Sequence, residues 1–153
     1  MVFILMKNNL HQRIMNRVYK MWQKNDEWTS AEFFDRLNYQ ERIAVALGNL
    51  NYQVQNGGFS QWKFNSYAKN HLSFLLRLEV DKKEYPDLAE ALSLVSKFKT
   101  FDEENGNDKG YDDEDDGFAN EELEKCLDLL DTRYYELKNL EDEMNKFIEG
   151  VKS

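Results

Sequence analysis

The sequence predicts an all-α fold: a single domain over residues 1–153 with six or seven helices and one long acidic loop at 100–119. Three observations carry this. One proline and seven glycines among 153 residues are too few for a turn-dense β architecture. Apolar residues recur at three- and four-residue spacings, and no useful stretch alternates as a half-buried strand would. Capping-box signals stand ahead of apolar-periodic runs, "TSAE" at 29–32 and "NYQE" at 38–41. The length suits one hydrophobic core, and neither an internal repeat nor a domain boundary is visible.

The elements follow in order. "MVFILM" at 1–6 is too short for a secretory core or for a membrane span of about twenty residues, so it reads as a short strand or tail packed on the body. Residues 10–24 place Leu10, Ile14, Val18, Met21 and Trp22 on one helical face, with Arg13, Arg17, Lys20 and Lys24 opposite. The first capping box opens a short helix through Phe33, Phe34 and Leu37. Asn38 and Glu41 open the next, which runs to about Gln55 with Ile43, Leu47, Leu50 and Val54 inward. Asn56, Gly57 and Gly58 should stop it, since glycine takes a left-handed C-terminal cap without a Cβ clash. A short helix over 59–65 and another over 67–79 come next, and Pro86 suits the first turn of a further one carrying Leu88, Leu92, Val95 and Phe98. After the loop, Asn120 can cap a helix with Leu123, Cys126, Leu127, Leu130 and Tyr134 inside. Asn139 can cap the last, lined by Leu140, Met144, Phe147, Ile148 and Val151.

Little catalytic chemistry is legible, and the expectation is no enzyme, no cofactor and no metal. His11 and His71 are the only histidines, and neither has a carboxylate or cysteine at ligand spacing. Cys126 is the single cysteine, on an apolar helix face, which reads as a buried thiol and fits the cytoplasm. Asp112, Glu114, Asp116 and Gly117 fall at calcium-loop positions one, three, five and six, but position twelve is Leu123 where a bidentate glutamate is needed. The ordinary reading of this loop is a solvated acidic segment.

Charge is more informative. Residues 1–100 carry 14 Lys/Arg and 10 Asp/Glu, a net +4; residues 101–153 carry 6 and 19, a net −13. Glu121, Glu124, Asp128 and Asp131 recur at spacings of three, four and three, opposite Leu123, Leu127 and Leu130. On a helix they form a carboxylate ridge with steps of roughly 5 Å. Duplex DNA presents a phosphate about every 3.4 Å along each strand. The ridge, with Asp112, Asp113, Glu114, Asp115 and Asp116 in the loop, can therefore imitate a phosphate rail. An ordinary solvated helix face explains the spacing equally well.

A resemblance then enters. "VQNGGFSQWKFN" resembles the signature of a bacterial family of small helical domains, largely of unknown function and named after a DNA-mimic protein. Asn56, Gly57, Gly58, Phe59, Gln61, Trp62, Phe64 and Asn65 match its pattern. Asp131, Tyr134 and Tyr135 fit its closing Asp-x-x-aromatic-aromatic element, and coverage is most of 38–150. Gln53 replaces a frequent acid and Lys63 a usual aromatic. The resemblance implies an all-α fold and, for some members, occupation of a DNA-binding protein's site. The leading expectation is thus a non-enzymatic acidic protein that docks on a basic DNA-binding protein, with no direct nucleic-acid or membrane partner. The signature corner is a fold corner first. Its alternative is a pocket for a small molecule or peptide around Phe59, Gln61, Trp62, Phe64 and Asn65, with Asn56 as a further polar anchor. The basic stripe on the first helix would bind nucleic acid only against the overall acidity. It could instead neutralise the ridge, within the fold or across a homodimer.

Overall fold

Apolar periodicity becomes seven helices in the computed structural model, which describes residues 9–25, 29–65, 67–104, 111–112, 117–118 and 121–151. They are α1 (Asn9–Lys24), α2 (Ser30–Asp35), α3 (Tyr39–Phe64), α4 (Tyr67–Leu76), α5 (Pro86–Glu104), α6 (Glu121–Tyr135) and α7 (Leu140–Gly150). A two-residue antiparallel pairing, β1 (Tyr111–Asp112) with β2 (Gly117–Phe118), lies between α5 and α6 and leaves the class all-α. Among the described residues no helix is long and apolar enough to cross a membrane.

Both capping boxes form. Thr29 and Asn38 each accept the amide three residues on, while Glu32 and Glu41 reach back to the cap amides. Each cap satisfies donors that the first helical turn leaves unpaired. α3 is the axis of the fold: Ile43 to Leu50 are all buried, and α1, α4, α6 and α7 pack against it. A helix apolar on every side must be surrounded, and this one is.

Beyond the glycines the core is aromatic. Phe59 stacks on Phe98 at 5.6 Å and meets Tyr134 edge-on at 5.8 Å, and Trp62 closes on Phe98 at 5.7 Å. Such rings bring large buried area together with edge-to-face attraction.

α5 and α7 cap each other. Glu143, buried on α7, accepts the amides of Asp87 and Leu88 in the first turn of α5 at 2.8 and 3.1 Å. Asp87 in turn accepts the amide of Asn139 at the start of α7 at 2.9 Å. Two carboxylates thus sit at two positive helix ends, where both hydrogen bonding and the helix dipole favour them.

Several expectations are corrected. The glycines kink α3 instead of stopping it: Gly57 has φ −161° and ψ 15°, Gly58 has φ 78° and ψ −176°, and helix resumes at once. α5 runs to Glu104, so the acidic segment starts later than residue 100. The fourth helix ends at Leu76, short of 79. Asn139 caps α7 by position only: its φ of −101° and ψ of 8° depart from the extended cap geometry and its side chain makes no capping hydrogen bond, while its own amide donates to Asp87. The readings of residues 2–6 and of Asn120 as a cap fall outside the described residues.

Candidate functional site

α6 carries the ridge because its apolar residues commit the opposite face. Leu123, Leu127, Leu130 and Tyr134 are buried, which turns Glu121, Glu124 and Asp128 to solvent. None of these three forms an ion pair among the described residues. They form a strip of exposed carboxylates, flanked on the same helix by the exposed Lys125. Of the other predicted acidic residues, Asp112 lies in β1, and Asp113, Glu114, Asp115 and Asp116 fall outside the described residues.

Asp131 does not belong to that strip, which corrects the reading of a four-carboxylate ridge. It turns inward and accepts the Phe59 amide at 2.9 Å. The kink explains why: non-helical dihedrals at Gly57 and Gly58 take the Phe59 N–H out of the helical ladder, and a buried amide needs an acceptor. Tyr135 serves the other side of the break, donating its hydroxyl to the Val54 carbonyl at 2.8 Å. Tyr134, fully buried, donates to Asn51 Oδ1 at 2.9 Å. The closing element of α6 is therefore a clasp on the kink of α3. Burial pushes the Asp131 carboxyl up to about 6; the Phe59 amide opposes this and the Asp128 charge adds to it.

The signature residues divide in two. Phe59 and Trp62 have no exposed surface and are core, so of the expected pocket lining only Gln61, Phe64 and Asn65 face a cavity. Asn56 and Gly57 are exposed, and Gly57, Ser60, Gln61, Phe64 and Asn65 line a pocket of about 230 Å³. Beneath it Gln53, 2% exposed, accepts from Gln61 Nε2 at 2.8 Å and from Asn65 Nδ2 at 2.7 Å. Asn65 is thus tied to Gln53 and is also the C-cap of α3. Lys63, the other departure from the signature, is half-buried in an ion pair with Asp102 on α5. Sequence reasoning passed over Ser60 and saw Gln53 only as a departure. No local signal joins Gln53 to Gln61, because the break at Gly57 and Gly58 lies between them.

The remaining candidates settle simply. Arg13, Arg17, Lys20 and Lys24 are exposed, and Arg17 pairs with Glu41 on α3 at 3.4 Å. His71 is buried between Phe34 and Tyr67, and desolvation lowers its pKa to about 4. Cys126 is half-buried. No group of three or more His, Cys, Asp or Glu is placed to hold a metal among the described residues.

Fold and site together define a small helical domain with one carboxylate-lined face. Residues 35–151 match the family model of DMP19-like proteins, and the chain belongs to that family. The family read from the signature over 38–150 is corrected by this match, and the assignment rests on it. No curated protein and no solved structure matched the chain.

Proposed function

We propose that this chain is a non-enzymatic acidic binding protein whose α6 face docks on a basic, DNA-binding protein. The observation that carries this is the strip of Glu121, Glu124 and Asp128, exposed on one helix face and without an ion pair among the described residues. Like charges along one helix face destabilise the helix that carries them, so a strip left unpaired favours an external partner. Membership of the DMP19-like family, a DNA-mimic family, supports the same reading. So does the net −13 of residues 101–153.

Electrostatic docking of this kind is fast, orienting and sensitive to salt, because exposed charges are screened beyond about 8 Å at physiological ionic strength. The test is capture from a bacterial lysate by wild type and by the triple variant Glu121→Lys, Glu124→Lys, Asp128→Lys. A basic DNA-binding protein should be retained by wild type, lost from the variant and released at high salt. Equal retention by both proteins contradicts the reading.

A further inference from the structure

The pocket after the kink of α3 has a chemistry that the acidic strip does not use. Its volume, about 230 Å³, lies below the roughly 300–1,000 Å³ of sites for drug-sized ligands. One side chain fits it better than a free small molecule. Its polarity is set from below, by Gln53. Because Gln53 Oε1 takes an N–H from both Gln61 and Asn65, the carbonyl oxygens of those two amides are left as acceptors at the pocket wall.

Gly57 belongs to the same arrangement. Its φ of −161° is open to any residue, so the backbone does not demand glycine there. Space does: a Cβ at position 57 would lie 2.0 Å from Gln61 Oε1. A buried amide below and a missing Cβ beside it both hold the Gln61 side chain in place. The half-buried Phe64 adds an aromatic wall. Next along the chain, Gly58 touches Asp131, one turn from Asp128 on the acidic strip.

We infer that this pocket receives an arginine side chain of the docked basic protein. The guanidinium N–H groups donate to Gln61 Oε1 and Asn65 Oδ1 beside the Phe64 ring. The inference rests on the docking proposed above, which supplies the basic surface. Two neutral acceptors beside a ring suit the planar five-donor fork of arginine, which also stacks on aromatic faces. The compact, strongly hydrated ammonium of lysine gains less there.

Two fluorescently labelled peptides test it on the intact protein, one of six arginines and one of six lysines, read by anisotropy at fixed salt. Wild type should bind the arginine peptide about tenfold more tightly. Gln61→Leu and, independently, Asn65→Leu should remove that preference and leave the lysine peptide's affinity unchanged. Gln53→Glu keeps an acceptor beneath both amides and should preserve the preference. The triple reversal on α6 should weaken both peptides together and keep their ratio. Equal affinity of wild type for the two peptides, or a preference that survives both leucine variants, overturns the pocket assignment. Undiminished binding of both peptides to the triple reversal overturns the docking reading instead.

Discussion

At Gly58 two independent constraints meet. Its φ of 78° with ψ −176° lies in a region that side-chain-bearing residues avoid, and an added Cβ would stand 2.2 Å from Asp131 Oδ2. Gly58→Ala should therefore cost about 3 kcal/mol or more, seen as a lower urea midpoint at unchanged slope. Gly57→Ala should cost less, since only the Gln61 side chain has to move. Two titrating groups act in opposite directions here. The Asp131 carboxyl is raised from 3.8 to about 6, so the folded state holds its proton more tightly. Its contribution is full below pH 3.8 and is lost as pH rises through 6. The His71 imidazole is lowered from 6.5 to about 4, so its contribution is full above 6.5 and is lost as pH falls through 4. Between pH 4 and 6 the two slopes oppose each other. Asp131→Asn keeps an acceptor for Phe59 and should make stability rise more steeply with pH over that window. His71→Phe should leave the falling slope of Asp131. Denaturant midpoints at pH 4, 5 and 6 check both.

Among the elements, what was legible in the sequence is what local chemistry decides. Thr29, Asn38 and their glutamates announced two helix starts, and Pro86 a third, because caps and proline act within one turn. The buried faces of α3 and α6 followed from three- and four-residue spacing. The kink was misread as a stop because Asn-Gly-Gly looks the same in both cases. Helix resumes only because Asp131 and Tyr135, more than seventy residues on, serve the groups released at the break. The same kind of distance hid the mutual caps of α5 and α7, since nothing local to Glu143 or Asp87 marks a partner 56 or 52 residues away. Glu143→Ala leaves the Asp87 and Leu88 amides without their acceptor and should cost about 1–2 kcal/mol. Glu143→Gln, which retains an amide oxygen, should cost less. Thermal melts of the pair distinguish a cap from a surface charge.

Over the whole molecule, the division of charge was legible from composition, but its meaning changes once acids are placed. Asp102, Asp131 and Glu143 are engaged inside the fold, so the net −13 of the C-terminal third overstates the acid available to a partner. What remains on α6 is concentrated: Glu121, Glu124 and Asp128 on one side, with Tyr135 anchored to α3 at the end of the row. That concentration is what docking on a DNA-binding surface requires, since a protein that reads a phosphate rail meets negative charge at regular steps. The most direct measurement is competition. With a captured basic DNA-binding protein bound to this chain, duplex DNA carrying that protein's site is titrated in and the bound fraction followed by anisotropy. DNA should displace the chain stoichiometrically, and the triple reversal on α6 should not bind at all. A ternary complex that persists at saturating DNA would contradict the account.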